Sequence, residues 1–251
     1  MESYSASRSF SGRTHLIRLA FHLSALMVWL VSFACRPAVD PAEPKIAWTG
    51  ENSIVAYGTS LTAGIVAPDS SYPAFLAEKL LIDVVNRGKI GATSAWGLAN
   101  IDIIYSAKPV WVLLEFGAND FLQQIDVDTA AKNIAAIIEH ILAYGAEVAL
   151  LNFAHPDMYA KIDDNQGIIE FLSAEAVQAF VAAGLAYDAM IDSLAVAHGL
   201  EIEDYLYEGI AWDPAYLTDD WIHPNAAGNR LMAGNVFAAF KETFELSHMV
   251  K

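Results

Sequence analysis

Residues 57–64 read Tyr-Gly-Thr-Ser-Leu-Thr-Ala-Gly, and they follow a short apolar run over residues 53–56. The residues after them have helical periodicity, so we expect a strand that ends in a tight turn before a helix. Ser60 lies on this turn. A serine there can expose its hydroxyl at the carboxyl edge of a parallel sheet, near free backbone N–H groups of the next helix. The position suits a nucleophile, although Gly-Thr-Ser is also an ordinary loop composition.

The rest of the chain alternates short apolar segments with amphipathic ones. We predict strands over residues 53–57, 82–86, 110–116 and 147–153, and helices over residues 72–80, 94–106, 128–144, 174–198 and 225–246. This alternation is typical of βαβ units, and therefore of a parallel sheet covered by helices on both faces. The flanks of the fourth helix, residues 155–167 and 200–217, are predicted to be long loops near the site.

The first 52 residues differ in character from the rest. Three arginines precede an apolar run over residues 19–34, and the chain's single cysteine, Cys35, follows it directly. Such a segment is typical of a secretory signal, and a retained membrane-anchoring helix is the alternative. The place of Cys35 also resembles a bacterial lipoprotein signal, although the residues just before it depart from that motif. We expect a leader over residues 1–35, a proline-containing linker over 36–52 and a domain over 53–251, located outside the cytoplasm as a secreted, periplasmic or lipid-anchored protein.

The chain is strongly acidic. Its 14 basic and 30 acidic residues give a formal charge of −16, which becomes −18 without the three arginines and one glutamate of residues 1–35. Such a surface repels nucleic acid and anionic lipid head groups, so we expect no nucleic-acid partner and a neutral substrate. Solubility outside the cytoplasm explains the charge equally well, and the sequence leaves the oligomeric state open.

A serine nucleophile needs a base, and histidine has the appropriate pKa near neutrality. Of the seven histidines, His155 and His223 each precede a proline, which keeps them out of helices; the other five lie in the leader or in predicted helices and their ends. Asp220 stands three residues before His223, and at this spacing in a loop a carboxylate can reach the imidazole Nδ1. Alternatively, Asp220 is an ordinary loop acid, and Asn225 caps the last helix.

Acyl transfer also needs hydrogen-bond donors for the developing oxyanion. Asn119 follows the third predicted strand, so its amide projects from the same sheet edge as Ser60. Gly91 follows the second predicted strand, and without a Cβ it can offer its backbone N–H at close approach. The N–H of Ser60 would be the third donor. Each residue could serve only in a turn, but four such turns together indicate an acyl-transfer site.

These segments resemble the conserved blocks of the SGNH (GDSL-type) hydrolase family. Their residues are most similar to those of its bacterial branch of thioesterases, arylesterases and lysophospholipases. The matching segments are residues 58–61, 86–94, 116–120 and 220–224, and the resemblance covers residues 53–245. It implies the nucleophile Ser60, the triad acid Asp220 and base His223, and an oxyanion hole made by Ser60, Gly91 and Asn119. It further implies an α/β fold, a three-layer α/β/α sandwich with a mainly parallel, flavodoxin-like five-stranded sheet, and no cofactor or metal.

Two departures from the family pattern bear on this resemblance. Thr59 stands where the family signature has aspartate, a residue used mainly for local structure, so we expect little loss of chemistry. The segment between the fourth strand and Asp220 is longer than in compact members, which leaves the substrate open. The α/β-hydrolase fold is disfavoured, because its Gly-x-Ser-x-Gly elbow would need glycine where Thr62 stands.

We therefore expect a serine esterase or acylhydrolase that cleaves carboxylic esters of small or lipid alcohols through an acyl-enzyme, with thioesters and acyl transfer also open. One alternative is a glycan O-acetylesterase or acetyltransferase, in which Trp212 and Tyr216 stack on sugar rings rather than line an acyl pocket. Another, of a different class, is a non-catalytic envelope protein that binds a ligand. If Cys35 is lipidated, we expect the protein to be attached to a membrane through this residue.

Overall fold

A sheet of five parallel strands organises the part of the chain that the computed structural model describes, residues 53–160 and 173–246. The predicted leader and linker lie outside these residues. The strands are β1 (Ser53–Gly58), β2 (Val84–Gly88), β3 (Pro109–Glu115), β4 (Glu147–Leu151) and β5 (Glu201–Glu203), in the spatial order β2-β1-β3-β4-β5. In this order the connections reverse direction between β1 and β3, and open α/β sheets bind ligands in the crevice at that point.

Helices cover the sheet. They are α1 (Ser60–Ala63), α2 (Tyr72–Leu80), α3 (Ser94–Ala99), α4 (Ala118–Leu122), α5 (Val127–Tyr144), α6 (Pro156–Ala160), α7 (Ala174–His198), α8 (Ala226–Ala239) and α9 (Lys241–Leu246), with 3₁₀ turns at Pro68–Ser70 and Ile101–Ala107. Helix α2 packs on α8, while α5 packs on both α3 and α7. The α/β fold with helices flanking a five-stranded parallel sheet is therefore confirmed.

The apolar periodicity placed most elements correctly. The predicted helices over residues 72–80 and 174–198 have the observed bounds, and the four predicted strands are shifted by two residues at most. The prediction of one helix over residues 94–106 was wrong. Helix α3 ends at Ala99, where the Asn100 side chain donates a hydrogen bond to the Trp96 carbonyl at 2.8 Å and competes with the helical pattern. A 3₁₀ turn continues the segment.

The last predicted helix, residues 225–246, is also two helices, because the chain bends at Phe240 between α8 and α9. The bend places the rings of Phe240 and Phe244 edge-on against Trp111 of β3, with centroid distances of 5.1 and 5.0 Å. Trp111 is almost completely buried. The predicted loop over residues 200–217 contains the short strand β5, whose single apolar residue between two glutamates carries no recognisable strand pattern.

Helix α7 is the longest described helix and covers one face of the domain. Of the helices that the structure describes, it alone is long and apolar enough by composition to cross a membrane, with a mean hydropathy of 1.5. Its Tyr187, Met190 and Ile191 are nevertheless buried in the domain core. We therefore interpret α7 as a covering helix of the sheet, and its N-terminal half contributes to the cavity described below.

Candidate active site

The turn that carries Ser60 has the predicted strand–turn–helix form. Ser60 is the first residue of α1 and is separated from β1 by Thr59 alone. Thr59 is the N-cap residue: its backbone is extended, and its hydroxyl accepts the N–H of Leu61 at 3.3 Å. The N–H of Ser60 lies in the first helical turn, where backbone N–H groups have no acceptor inside the helix. Ser60 therefore presents, at the crevice between β1 and β3, a hydroxyl and an N–H that has no acceptor within the helix.

A chain of two hydrogen bonds joins Ser60, His223 and Asp220. Ser60 Oγ is 2.9 Å from His223 Nε2, and His223 Nδ1 is 2.7 Å from Asp220 Oδ2. Burial raises the pKa of Asp220, but hydrogen bonds from His223, Ile222 and Thr218 outweigh burial and hold this pKa well below its usual range. An ionised carboxylate only accepts hydrogen bonds, so His223 Nδ1 carries the hydrogen and Nε2 accepts from the serine hydroxyl.

The loop that carries Asp220 and His223 is held by groups that the sequence analysis did not identify. Asp220 Oδ1 accepts the Thr218 hydroxyl at 2.7 Å and the N–H groups of Ile222 and His223 at 2.9 Å each. The buried Tyr207 donates its hydroxyl to the Ile222 carbonyl at 2.6 Å. A hydroxyl residue two positions before an aspartate in a loop was a readable signal for Thr218, whereas nothing local pointed to Tyr207.

The turn between acid and base requires an unusual backbone. Trp221 has φ +59°, a left-handed conformation that is rare for a bulky side chain. This conformation folds the chain back, so that the next two N–H groups point at the Asp220 carboxylate. The alternative interpretation of this segment also holds in part, because Asn225 caps α8 by accepting the N–H groups of Ala227 and Gly228 at 2.9 and 3.1 Å.

The other candidate base, His155, has a different environment. Its Nδ1 accepts the N–H of Asp157 at 3.2 Å, and its ring stacks on Tyr205 with a centroid distance of 4.4 Å. It is not among the residues that line the cavity beside Ser60. His155 is thus placed apart from the chain of hydrogen bonds that begins at Ser60.

The two other predicted oxyanion donors lie on neighbouring turns. Asn119 lines the same cavity as Ser60, and its Nδ2 donates to the Ala92 carbonyl at 2.8 Å, which leaves its second amide hydrogen for a ligand. This bond ties the turn of Asn119 to the turn of Gly91, although Gly91 itself is not a lining residue. Gly91 has φ +75°, and a Cβ there would meet nothing within 4 Å. The backbone conformation, rather than close approach of another group, therefore explains this glycine.

Two buried acids accept hydrogen bonds from these turns. Neither was assigned a role from the sequence. Asp120 accepts the N–H and hydroxyl of Ser94 at 2.8 and 2.5 Å, which fixes the start of α3 to α4. Glu115 ends β3 and is completely buried. It accepts the N–H and hydroxyl of Thr59 at 2.9 and 2.8 Å and the hydroxyl of Thr62 at 3.0 Å. A glutamate at the end of an apolar strand was the signal that could have identified it.

Glu115 accepts hydrogen bonds from Thr59, the residue that stands where the family signature has aspartate. Burial raises the pKa of Glu115 to about 7, against the opposing effect of hydrogen bonds from Thr59 and Thr62. The Thr59 hydroxyl can donate to this carboxyl, whereas an aspartate would place a second carboxylate beside it. Threonine therefore keeps the N-cap function and satisfies the buried acid at the same time.

An apolar cavity of about 360 Å³ opens beside Ser60 and His223. Its walls include Phe121, Phe153, Met158, Tyr159, Phe180 and Trp212. Trp212 is fixed in the cavity wall by a hydrogen bond from its indole N–H to the Met158 carbonyl, at 2.7 Å. Tyr216 does not line the cavity. Within residues 53–160 and 173–246, no three histidine, cysteine, aspartate or glutamate side chains are grouped so that they could hold a metal ion.

A parallel α/β sheet with Ser60 after β1 and Asn119 after β3 is the architecture of the SGNH hydrolases. The chain belongs to the GDSL-like lipase/acylhydrolase family, whose sequence profile matches residues 56–231. It is 25% identical over 209 residues to the thioesterase 1/protease 1/lysophospholipase L1 of Escherichia coli strain K12, covering 82% of this chain and 85% of that one. It is 26% identical over 202 residues to the arylesterase of Vibrio mimicus, covering 78% and 87%. By family, the chain is an esterase or acylhydrolase.

Solved structures show the same fold. The crystal structure of TesA superposes with a TM-score of 0.63 at 23% identity, covering 76% of this chain and 99% of that one. The psychrotrophic esterase EstA from Pseudoalteromonas sp., in a structure inhibited by monoethylphosphonate, superposes with a TM-score of 0.63 at 19% identity, covering 77% and 99%.

Proposed function

We propose that this chain is a serine esterase that hydrolyses carboxylic esters through an acyl-enzyme, with Ser60 as nucleophile, His223 as base and Asp220 as the residue that orients the base. The observation that carries the proposal is the hydrogen-bonded chain from Ser60 Oγ through both imidazole nitrogens to Asp220, at 2.9 and 2.7 Å. This arrangement can remove the serine proton as the hydroxyl attacks a carbonyl. Its position beside an apolar cavity favours an ester with a hydrocarbon group.

The reaction proceeds in two halves. Ser60 Oγ attacks the ester carbonyl carbon while His223 Nε2 takes its proton, and Asp220 stabilises the resulting imidazolium. The carbonyl oxygen becomes an oxyanion that accepts hydrogen bonds from the N–H groups of Ser60 and Gly91 and from the Asn119 amide. The bond to the alcohol oxygen then breaks as His223 returns the proton to it. Water then gives a proton to His223 and attacks the acyl carbon. The bond between this carbon and Ser60 Oγ breaks, and His223 returns the proton to Oγ, which releases the acid and restores the serine.

The test is hydrolysis of p-nitrophenyl esters by the wild type and by Ser60→Ala. We expect the substitution to lower turnover by several orders of magnitude, because it removes the atom that forms the acyl-enzyme. Ser193→Ala is the matched control: this exposed serine of α7 donates to the Ala189 carbonyl and lies outside the cavity. Near-normal turnover in pure Ser60→Ala protein would refute the proposed mechanism.

A covalent probe gives a second test that does not depend on the natural substrate. The related esterase EstA was solved in a form inhibited by monoethylphosphonate, and a phosphonate with a good leaving group should phosphonylate Ser60 in the same way. Mass spectrometry of the labelled peptide should place the adduct on Ser60 and find none in Ser60→Ala. Lack of labelling would favour the non-catalytic envelope protein.

The acyl group separates the enzymatic alternatives. A profile that peaks sharply at acetate would favour a glycan O-acetylesterase or acetyltransferase, whereas longer acyl groups favour lipid esters or the thioesters named for the E. coli relative. The use of Trp212 as a cavity wall, with its indole N–H bonded within the protein, supports the acyl-pocket interpretation over a sugar-stacking one.

The proposal includes export from the cytoplasm. It rests on the sequence of residues 1–35, with its basic start, its apolar run and Cys35 at the end of that run. Expression of the full chain followed by cell fractionation tests it, and Cys35→Ser tests lipidation. We expect the wild type in the membrane fraction and the variant in the soluble extracytoplasmic fraction. An unchanged partition between the two would contradict lipidation.

A further inference from the structure

Tyr159 of α6 is packed directly against Gly184 of α7. A Cβ at Gly184 would lie 2.2 Å from Tyr159 Cζ and 2.3 Å from the tyrosine hydroxyl oxygen, distances that no real contact allows. Gly184 is in the interior of a 25-residue helix, where glycine is one of the least favourable residues. The glycine at this position is therefore explained by the space that the Tyr159 ring occupies.

Packing against described neighbours holds the Tyr159 ring in place. Only 5% of the side chain is exposed, and its hydroxyl has no hydrogen-bond partner among the residues that the structure describes. The ring contacts Phe180 edge-on at a centroid distance of 6.3 Å, and both residues line the cavity beside Ser60. Because none of the described residues forms a hydrogen bond to the hydroxyl, a side chain added at residue 184 would displace the ring, and the open space next to the ring is the cavity that it lines.

The orientation of an ester in the site follows from the proton that His223 must return to the leaving alcohol. The alcohol oxygen has to lie next to His223 Nε2, at the part of the cavity lined by Trp221 and Ile222, which are 38% and 47% exposed. The alcohol therefore faces the open side of the site. The acyl chain is left with the enclosed side, whose walls include Phe121, Tyr159 and Phe180.

We propose that Gly184, by admitting the Tyr159 ring, sets the depth of the acyl pocket and makes the enzyme selective for medium-length acyl chains, an inference that rests on the proposed serine esterase function. A cavity of about 360 Å³ lies at the small end of ligand sites. At about 30 Å³ for each water-sized group, it holds roughly a dozen non-hydrogen atoms. Allowing for the ester group and for the start of the alcohol beside Trp221 and Ile222, this corresponds to an acyl chain of about six to eight carbons.

The experiment compares kcat/KM for p-nitrophenyl esters from acetate to palmitate. In the wild type we expect about a fourfold rise for each methylene group that enters the pocket, up to about the octanoate, and then a plateau or a fall. In Gly184→Ala the displaced Tyr159 ring shortens the pocket, and loss of two methylene sites lowers the octanoate-to-acetate ratio roughly fifteenfold. Tyr159→Ala should move the optimum to longer chains.

Two controls isolate the contact. Gly234→Ala makes the same substitution in the interior of α8, where a Cβ would meet nothing within 4 Å, and should leave the profile unchanged. In the Tyr159→Ala background Gly184→Ala should have no further effect, because the ring that it displaces is gone. Circular dichroism shows whether each variant is folded. If Gly184→Ala alone does not fold, the comparison of Tyr159→Ala with the double variant still tests whether the new Cβ acts through the Tyr159 ring.

Two series of esters, one varied in the acyl group and one in the alcohol, separate the role of Gly184 and Tyr159 from the esterase activity itself. An esterase that depends on Ser60 but keeps the wild-type profile in Tyr159→Ala and in Gly184→Ala would overturn the role of this pair and leave the proposed function standing. A shift in selectivity among acetates of butanol, hexanol and octanol, with the acyl profile unchanged, would overturn the acyl assignment of the cavity. Absence of Ser60-dependent hydrolysis across both series would overturn the proposed function and this inference together.

Discussion

Replacement of Glu115 by glutamine tests the buried carboxyl beneath the turn that carries Ser60. Glu115 has no exposed surface, and burial raises its pKa from 4.5 to about 7, even though Thr59 and Thr62 donate hydrogen bonds to it. A carboxyl with a raised pKa binds its proton more tightly in the folded protein than in the unfolded chain. Its contribution to stability is therefore fully present below about pH 4.5 and is lost as the pH rises through 7.

The size of the effect follows from the shift in pKa. A rise from 4.5 to about 7 corresponds to about 3 kcal/mol of stability that disappears between pH 4 and pH 8. Glutamine has nearly the same shape and cannot ionise, so Glu115→Gln lacks this dependence. The two tyrosines that face Glu115, Tyr72 and Tyr207, do not titrate in this range, because burial raises the pKa of each far above 10.

Urea unfolding followed by tryptophan fluorescence, at pH values from about 4 to 8, measures the free energy of unfolding of the wild type and of the variant. Relative to Glu115→Gln, the wild type should lose about 3 kcal/mol as the pH rises. Glu139→Gln is the control, because Glu139 is an exposed residue of α5 whose side chain is in water in both states. A difference between wild type and Glu115→Gln that stays constant with pH would refute the argument, and a difference of the opposite sign would mean that the hydrogen bonds outweigh burial.

Three further substitutions test the site and the core. Asp220→Asn should lower kcat by about 10³ to 10⁴, because an amide beside Nδ1 favours the tautomer that cannot accept the serine proton; an unchanged rate would remove Asp220 from the mechanism. Asn119→Ala should lower kcat by about 10² to 10³ with little change in KM, and a loss confined to KM would argue against an oxyanion role. Trp111→Ala should lower the free energy of unfolding by about 3 to 5 kcal/mol in a denaturation assay, since it removes the packing against Phe240 and Phe244; a loss below 1 kcal/mol would contradict this.

Elements with strong local patterns were predictable from the sequence. The strand before Ser60 and the helices α2 and α7 followed from runs of apolar residues with the right period, because periodicity is a property of neighbouring residues. The break at Phe240 and the strand β5 were missed for the opposite reason. The bend at Phe240 accompanies the packing of two rings on Trp111, and β5 is three residues long and is recognisable only by its pairing with β4.

Some residues of the candidate site could be identified from the local sequence, and others could not. Ser60, Asn119, Asp220 and His223 were identifiable because each is a reactive side chain next to a strand end or a proline, which are local signals. Glu115 and Tyr207 were missed because their partners are distant in the sequence: Glu115 binds Thr59, 56 residues away, and Tyr207 binds Ile222, 15 residues away. Gly184 belongs to this second group, because its role depends on a tyrosine of another helix.

The alternation of strands and helices and the chemical groups at the strand ends were predictable, since both depend on residue type and short spacing. The 2.9 Å distance between Ser60 and His223, which are 163 residues apart, and the lowered pKa of Asp220 beside them appear only in the folded protein. The high pKa of Glu115 and the wall that Tyr159 forms in the cavity likewise depend on the tertiary structure. The physical reason is that distances, burial and electric fields arise from segments that only folding brings together.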